Sequence, residues 1–445
     1  MSRRRLALPQ PRPFDPAADA RDPLAWCWAM TALFGAVILF RLGTPSKMMF
    51  DEIHYVPAAR AMLALVKRLN PEHPLLGKEV IAASIRLAGD NPFGWRLGNA
   101  VLATLGFYAA MRAMWWATRS RVTTLLFGVL FATDFIWFML ARIAMLDMAM
   151  GAMLAGAMWQ WSLAWRHDHG RGRLHLALTG LFLGLSLAGK WNGAPVAALP
   201  GLVFALERWR ALPAARRREW LVATDVGPVR GVSLVEAALW LGSLPLVAYF
   251  VTFIPDMLYR EMPLHPSRIF YWQKWMLQLQ DSVKKPHHYM SRWWQWVLNL
   301  RPIWFFYEPR DGAQRGVLML GNPFTMLAFL PALGLALWDG VRGFAQRRHG
   351  LLLLVTVLYA ASLVFWALNG KPVQFYYHYN LAACFGVAAL ALVLGHWWRA
   401  GLRWPGLAAA LVALALFGWF YPILSAGPLP AKNSYLTYTW LDSWR

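Results

Sequence analysis

Cysteine is nearly absent from the sequence: only Cys27 and Cys384 occur among 445 residues, and both lie inside apolar runs. Two isolated thiols exclude a disulfide framework and a thiolate metal site. The histidines do not occur at zinc-ligand spacings, and no loop carries enough carboxylates to mark a strong cation site. We therefore expect neither a metal nor another cofactor.

Charged residues are also scarce, at 15% of the chain, and acidic residues are half as common as basic ones, with 22 against 44. Hydrophobic residues make up 58%, and apolar runs recur near the roughly 20 residues that a helix needs to cross a bilayer. This composition is typical of a polytopic membrane protein. The net charge of +22 does not indicate nucleic-acid binding, because the basic residues fall between apolar runs, where they mark cytoplasmic loops.

The apolar runs predict about eleven transmembrane helices, so the predicted fold is an all-α polytopic membrane protein. With the N-terminus inside, the short cytoplasmic segments contain about half of the 44 Lys and Arg residues, which is a strong positive-inside bias. The predicted spans are 24–42, 93–117, 122–140, 143–165, 174–189, 192–207, 233–255, 316–338, 350–367, 376–395 and 405–424.

Two tails and two long loops flank or interrupt the predicted transmembrane domain at 24–424. Residues 1–23 lack the apolar core and cleavage site of a signal peptide, and they are predicted to be a cytoplasmic tail. Loops 43–92 and 256–315 and the tail 425–445 are predicted on the opposite, periplasmic side. In the first loop, helical apolar spacing over 58–65 and 75–87 predicts two interfacial helices.

An adjacent acidic pair, Asp51-Glu52, follows the first span within the first long loop. Such a pair is usually solvated surface. Here Phe50, Ile53 and Tyr55 flank it, and apolar surroundings raise carboxylate pKa values toward those that suit a general base. The pair is therefore a candidate for catalysis at the membrane surface.

Several basic residues near span ends have two interpretations. Arg41 and Arg96 are either interfacial side chains that extend toward the headgroups or ligands of a lipid-linked phosphate, which arginine binds through two N–H groups. Lys190, between two predicted spans, has the same two interpretations.

Other ionisable residues lie in the loops or beside apolar helices. Ionisable groups within spans are costly and often functional, although an internal salt bridge is the alternative. The candidate pocket residues are His73, Lys78, Asp134, Arg142, Asp147 and His288.

Four short motifs occur in a fixed order: FDEIHY at 50–55, NPEHPLLGK at 70–78, RIAMLD at 142–147 and GKWNG at 189–193. The second long loop and the segment after it add HYMSRWWQW at 288–296, RPIWF at 301–305 and GNP at 321–323. Together these motifs resemble those of the protein O-mannosyltransferase family. The resemblance extends over about residues 35–380, and four ordered motifs are far more specific than any one of them.

Two departures from the family pattern qualify this resemblance. The family usually has His-Pro-Pro-Leu-Gly-Lys, whereas this chain has Leu75 in place of the second proline, which leaves the polar ends of the motif intact. Loop 256–315 is also too short for the β-trefoil MIR domain of eukaryotic members. The chain therefore resembles a compact prokaryotic member, expected in the bacterial inner membrane with a cytoplasmic N-terminus and a periplasmic active site.

The resemblance implies a glycosyltransferase C-type fold, with 24–424 as the catalytic domain. It implies inverting transfer of mannose from a polyprenyl phosphate, similar to dolichyl phosphate, to Ser or Thr hydroxyls of exported proteins. Asp51 would be the general base, and Glu52 would orient the acceptor or support the base. Arg96, Arg41 and Lys190 would bind the donor phosphate. The residues that would shape the pocket are His73, Lys78, Asp134, Arg142, Asp147 and His288.

Two other function classes fit parts of the pattern. A related transferase would move a sugar from the same carrier to a lipid or glycan, as the aminoarabinose transferases of lipid A do with a similar acidic pair. A transporter would need broken helices at mid-membrane and an internal repeat, and the sequence shows neither. Oligosaccharyltransferases are disfavoured because Gln295, and not an aspartate, follows Trp293-Trp294.

The predicted topology can be tested by thiol labelling in whole cells. Cysteines placed near residues 60 and 280 should react with an impermeant reagent added from outside, because both positions lie in loops assigned to the periplasmic face. A cysteine near residue 216, in an arginine-rich segment, should be protected. Labelling at 216 with protection at 60 would reverse the orientation and move the acidic pair away from any exported acceptor.

Overall fold

The computed structural model describes residues 21–282, 284–344 and 350–445. Most of the predicted cytoplasmic tail, residues 1–20, lies outside the described residues, as do residues 345–349 of the segment between the eighth and ninth predicted spans. Within the described ranges the chain is mostly helical, and its β-structure is a two-stranded antiparallel hairpin with an isolated bridge to it.

Helices overlap each of the eleven predicted spans. In chain order the helices are α1 (Leu24–Leu39), α2 (Glu52–Leu63), α3 (Leu76–Ala88), α4 (Pro92–Thr118), α5 (Arg121–Ala132), α6 (Phe135–Ala141), α7 (Leu146–Ala164), α8 (His169–Gly189), α9 (Ala194–Ala197), α10 (Leu199–Ala211), α11 (Leu234–Ala238), α12 (Leu244–Val251), α13 (Ile254–Met257), α14 (Ile269–Ser282), α15 (Trp293–Val297), α16 (Pro323–Phe344), α17 (Gly350–Leu368), α18 (Asn380–Arg399) and α19 (Trp404–Leu424).

Six of the described helical segments are long and apolar enough to cross a membrane. They are α8, the α11–α12 segment joined by a π-helical turn, α16, α17, α18 with the 3₁₀ turn before it, and α19. The pair α5 and α6, bent by 62° at its break, makes a seventh if it is one span, and α1 is a shorter apolar helix of 16 residues. The chain is thus polytopic, while the count of eleven stays a prediction.

The eighth span begins later than predicted, because a β-hairpin occupies its first residues. Strands β1 (Ile303–Arg310) and β2 (Ala313–Met319) pair in antiparallel register, and α16 begins only at Pro323. Asp311 and Gly312 form the connection with φ of 49° and 75°, the positive values that a two-residue turn of type I′ requires. An Asp-Gly pair between aromatic and β-branched runs was the available signal.

The two helices predicted in the first long loop are confirmed as α2 and α3. Helix α2 begins at Glu52, earlier than predicted, so the acidic pair stands at the N-terminus of a helix. Helix α3 packs against both α2 and α4. This arrangement covers the end of α4 with the first loop.

Close helix packing positions the end of α8. A Cβ atom on Gly180 would lie 1.8 Å from the Trp240 carbonyl oxygen, and one on Gly184 would lie 2.2 Å from that of Pro245. Only glycine at these positions lets α8 approach the π-helical turn and α12 so closely. The opposite side of α8 packs along α7, so the residue after α8, Lys190, is held beside the start of α7.

Ionic and backbone contacts fasten the two long loops together. Arg68 of the first loop forms an ion pair of 2.7 Å with the buried Asp256 of the second, and its guanidinium lies 4.0 Å from the centre of the Trp272 ring. The amide N–H of Arg260 donates to the carbonyl of Leu65 at 2.9 Å. The outer face is therefore one connected layer.

The segment after α19 packs beneath this layer. Trp444 is buried, and its indole N–H donates to the carbonyl of Asn299 at 2.7 Å, while its own carbonyl accepts from the indole of Trp304 at 3.2 Å. The amide N–H of Leu429 donates to Gln314 of β2 at 2.8 Å. These contacts join residues 425–445 to the hairpin and the second loop.

Trp444→Ala should lower stability, because it leaves a cavity and removes the hydrogen bond from the indole N–H to the Asn299 carbonyl, a loss on the order of 3–5 kcal/mol for a buried Trp. The apparent melting temperature in detergent is the measurement. Trp440→Ala is the matched control in the same segment, since Trp440 is 49% exposed. Equal melting temperatures for the two variants would contradict the packing described here.

Candidate functional site

Four chain segments at helix ends meet around Asp51. Asp51 immediately precedes α2, and its side chain makes no capping hydrogen bond there. Asp147 lies in the first turn of α7, and Lys190 directly follows α8. Tyr377 lies in the 3₁₀ turn that leads into α18. Residues far apart in sequence thus form one polar cluster on the side of the long loops.

A buried ion pair between Lys190 and Asp147 lies in this cluster. The Lys190 Nζ atom lies 2.9 and 2.8 Å from the two carboxylate oxygens of Asp147. The same ammonium lies 4.7 Å from the centre of the Tyr377 ring. The charge of Lys190 is therefore already neutralised by a carboxylate.

Asp51 is the carboxylate that remains without an ion pair in this cluster. Among the described residues, its side chain contacts only the hydroxyls of Tyr55 and Tyr377, each 3.5 Å from Oδ2. Burial raises the pKa of the Asp51 carboxyl from 3.8 to about 6, and the nearby Lys190 ammonium limits the rise. Such a group is mostly ionised at neutral pH and basic enough to accept a proton.

The loop motif around His73 forms one wall of the site. The His73 ring lies edge-on to Tyr55, with 6.0 Å between ring centres. Burial and the neighbouring lysines hold the pKa of His73 well below its usual range, so the ring is neutral. Lys78 is buried and donates to the carbonyls of Asn70 and His73. Its ammonium thus fixes the loop and does not reach into the pocket.

An aromatic wall beside Asp51 joins the two long loops to the segment before α18. The Phe50 ring stacks on Phe305 at 5.0 Å and meets the edges of Phe375 and Tyr377 at 5.6 and 6.0 Å. His287 also contacts Phe50, at 6.1 Å. The predicted pocket residue His288 is exposed instead, and its carbonyl accepts from Arg301 at 2.9 Å.

The structure pairs Arg96 with Glu52, whereas the sequence predicted Arg96 as a ligand of the donor phosphate. Both are fully buried, and the guanidinium binds the carboxylate through two N–H groups at 2.8 and 2.9 Å. Its remaining N–H groups donate to the carbonyls of Leu42, Pro45 and Lys47. All five N–H groups of Arg96 are therefore used, and none is left for a phosphate.

Glu52 also binds the backbone beside both acidic residues of the site. Its carboxylate accepts from the amide N–H of Met49 at 2.8 Å and from that of Ala144 at 2.9 Å. The side chain is enclosed and has no face toward an acceptor. Of its two predicted roles, the geometry favours support of the base.

Arg142 and Arg41 lie at the end of α1, apart from the polar cluster. The Arg142 guanidinium donates to the carbonyls of Ile38, Phe40 and Arg41 at the C-terminal end of α1, where backbone carbonyls lack helical partners, and to that of Ser425. The Arg41 side chain is exposed, and its backbone has a φ of 55°. The structure thus uses Arg142 as a helix cap and does not bring Arg41 to Asp51.

Asp134 is also a helix cap. Its Oδ1 accepts from the amide N–H of Trp137 at 2.7 Å and begins α6 at the bend of the α5–α6 pair. It therefore supports the bend and makes no contact with the Asp51 cluster. Across the described ranges, no group of three His, Cys, Asp or Glu side chains is arranged to hold a metal ion.

Sequence reasoning missed Tyr377 and Lys371. Both lie in the stretch between α17 and α18, and the ammonium of Lys371 lies within electrostatic range of Asp51 and Asp147. The place of this stretch in the predicted topology was a usable signal. A basic and aromatic run that follows a span on the same side of the membrane as the acidic pair can contact that pair.

Two family models match this chain. A model of dolichyl-phosphate-mannose-protein mannosyltransferase matches residues 89–258, and a model of the C-terminal four TMM region of protein-O-mannosyltransferase matches residues 266–444. Together they cover more than three-quarters of the chain. Both begin after the acidic pair.

Similar proteins extend over nearly the whole chain. The polyprenol-phosphate-mannose–protein mannosyltransferase of Mycolicibacterium smegmatis is 28% identical in an alignment of 516 positions, gaps included, that covers 99% of this chain and 98% of that protein. The solved Pmt1-Pmt2 complex of S. cerevisiae, bound to its sugar donor, has a TM-score of 0.79 at 14% identity and covers 95% of this chain and 93% of the matched one.

A second solved structure, ArnT from Cupriavidus metallidurans bound to undecaprenyl phosphate, has a TM-score of 0.59 at 16% identity. It covers 94% of this chain and 78% of the matched one. At these identities the two solved structures are evidence for the fold alone, and they confirm the predicted glycosyltransferase C-type fold.

Glu52→Gln and Arg96→Ala should both destabilise the protein, by about 3–5 kcal/mol, because each leaves a buried charge without its partner. Unfolding of the purified variants in detergent is the measurement, and the double variant should cost less than the sum of the single ones. The control is Arg60→Ala, which removes an exposed ion pair with Asp90 in the same loop and should cost under about 1 kcal/mol. A stable Arg96→Ala protein defective only in donor binding would restore the phosphate role.

Proposed function

The chain belongs to the protein O-mannosyltransferase family, and on that premise we propose that it transfers mannose from a polyprenyl phosphate to Ser or Thr hydroxyls of proteins. Two family models and relatives matched over almost their full length support this activity. We further propose that the reaction takes place on the periplasmic face of the bacterial inner membrane, with the N-terminus in the cytoplasm. The positive-inside bias supports that orientation.

The observation that carries the proposal is the state of the Asp51 carboxylate. It is partly exposed, it has no ion pair in the described part of the chain, and two tyrosine hydroxyls lie 3.5 Å from one of its oxygens. The neighbouring carboxylates of Glu52 and Asp147 are both paired with cations. Asp51 alone of the three is available to accept a proton.

The proposed reaction is a single displacement. The acceptor hydroxyl oxygen attacks the anomeric carbon of mannose as Asp51 takes its proton. The bond between that carbon and the phosphate oxygen breaks on the opposite face, so the configuration inverts and the polyprenyl phosphate leaves with the bonding electrons. Because the leaving group is already an anion of low basicity, it needs a cation nearby and no acid.

The charged residues around Asp51 are consistent with Asp51 as the base and a separate cation at the leaving phosphate. Lys190 lies close enough to favour the ionised form of Asp51, while Asp147 disfavours it. The influence of Lys190 is the larger of the two, so the pair offsets part of the effect of burial on the pKa of Asp51, and it holds the ends of α7 and α8 together. In this proposal Lys190 positions the site, and its predicted role as a phosphate ligand becomes secondary because its charge is paired.

Asp51→Asn should reduce mannose transfer by roughly two to four orders of magnitude, because the amide keeps the shape and cannot accept a proton. The assay uses purified protein, polyprenyl-phosphate mannose and either a Ser/Thr peptide or lipid A. Mannosylated peptide from the wild type alone is the expected product. Sugar on lipid A and none on peptide would favour the lipid-acceptor alternative, and full activity in the variant would remove Asp51 from the mechanism.

The pH profile and the stability of the same variant sharpen this test. Activity of the wild type should rise with pH through about 6, where the partly buried Asp51 ionises, and not near the usual 3.8. The sign for stability is opposite: a carboxyl with a raised folded-state pKa favours the folded state only at low pH, and its ionised form is a cost at pH 7. Asp51→Asn should therefore be as stable as the wild type at pH 7, or more so.

A further inference from the structure

Lys371 is a half-buried lysine beside the site, and its ammonium has no hydrogen-bond or ion-pair partner among the described residues. It lies within electrostatic range of Asp51, Asp147 and Lys190. In the described part of the chain its ammonium makes no hydrogen bond and no ion pair. A partly desolvated ammonium without a partner is unfavourable on its own, and an anion bound beside it would remove that cost.

The other cations around the site are already committed. Lys190 is paired with Asp147, and Arg96 with Glu52. Lys78 binds backbone carbonyls of its own loop. Among the lysines and arginines just named, all within the described part of the chain, Lys371 can thus accept an anion without breaking an existing contact.

The backbone that carries Lys371 is fixed, although its side chain is not. The Lys371 amide N–H donates to the Asn369 side chain at 3.0 Å, and the Gln374 amide donates to the carbonyls of Lys371 and Trp366 at 3.2 and 3.1 Å. The Gln374 carbonyl accepts from the amide N–H of Ser291 in the second loop at 2.8 Å. The segment is therefore attached to the loop that borders the site.

An apolar helix face leads from the membrane to this lysine. Val357, Val364 and Leu368 of α17 are 40%, 47% and 78% exposed, and spacings of seven and four residues put them on one side of the helix. Leu368 is the last residue of α17, three positions before Lys371. An isoprenoid chain lying along this face would have its phosphate at the level of Lys371.

We propose that Lys371 binds the phosphate of the polyprenyl carrier while the isoprenoid chain lies along the exposed face of α17. This assignment rests on the proposed function and supplies the cation that its leaving group needs. A lysine ammonium binds a phosphate as a compact point charge. As the glycosidic bond breaks, negative charge grows on the phosphate, so Lys371 stabilises the transition state as well as the bound donor.

The test measures binding of undecaprenyl phosphate to the purified full-length protein, by quenching of its tryptophan fluorescence. Lys371→Ala should weaken binding roughly 10- to 100-fold, and Lys371→Arg should restore part of it. Undecaprenol, which lacks the phosphate, should bind both proteins equally. Inorganic phosphate should not compete at comparable concentrations if the isoprenoid chain supplies part of the affinity; efficient competition would remove the α17 face from the proposal.

Lys274→Ala is the matched control, because Lys274 is an exposed lysine of α14 in the second loop, on the same face of the protein. It should bind undecaprenyl phosphate like the wild type. If Lys371→Ala also binds like the wild type, Lys371 is not the phosphate ligand. If Lys371→Ala folds poorly, Lys371→Met keeps the length of the side chain and gives the same comparison.

A pH series supplies a readout that a merely structural lysine would not give. Burial and the neighbouring Lys190 together lower the pKa of Lys371 to about 8, against the opposing effect of Asp51, Asp147 and Asp281. Binding should therefore weaken as pH rises through the region above 8. Lys371→Arg should abolish this weakening, because a guanidinium stays protonated. Lys78 also has a pKa lowered to about 8, and persistence of the weakening in Lys371→Arg would point to Lys78 and overturn the assignment.

Failure of this proposal is distinguishable from failure of the proposed function. Lys371-dependent binding of undecaprenyl phosphate by a protein that transfers no mannose would support the phosphate site and reject mannose as the sugar. Mannose transfer with binding independent of Lys371 would support the enzyme and reject the site.

Discussion

The buried ion pair between Glu52 and Arg96 holds in place the two chain segments that supply the acidic residues of the site. One carboxylate accepts from the backbone on both sides, at Met49 beside Asp51 and at Ala144 beside Asp147. The guanidinium binds three carbonyls of the turn after α1. Because every N–H group of Arg96 is satisfied, the pair compensates for its desolvation and fixes the spacing of the acidic residues.

Three carboxylates of the site therefore behave differently because of their partners. Glu52 is enclosed by a guanidinium and amides, and Asp147 is neutralised by Lys190. Asp51 has only two long contacts with tyrosine hydroxyls. The division of roles follows from environment and not from residue type, as in other enzymes that place paired carboxylates in unlike surroundings.

The sequence predicted the helical membrane fold and the two helices of the first loop, and it put forward Asp51 as the general base, because hydropathy, periodicity and ordered motifs are local signals. The family resemblance gave Asp51 and Glu52 different roles, but the residues alone did not separate them, since the distinction depends on which side chain meets Arg96 from α4. In the sequence, an arginine near the membrane surface that binds phosphate cannot be distinguished from one that binds backbone carbonyls. Only the tertiary contacts show that Arg96 and Arg142 bind carbonyls. Lys371 was missed because more than 300 residues separate it from Asp51.

The fastening of the two long loops has a consequence for how a lipid substrate exchanges. The Arg68–Asp256 ion pair and the Arg260–Leu65 backbone hydrogen bond join the two long loops that form the layer above the site. Opening this layer toward the water would require both contacts to break. Donor and spent carrier would then enter and leave sideways, in the plane of the bilayer, and the rate of turnover would depend on lateral lipid diffusion and bilayer thickness more than on the viscosity of the surrounding solution.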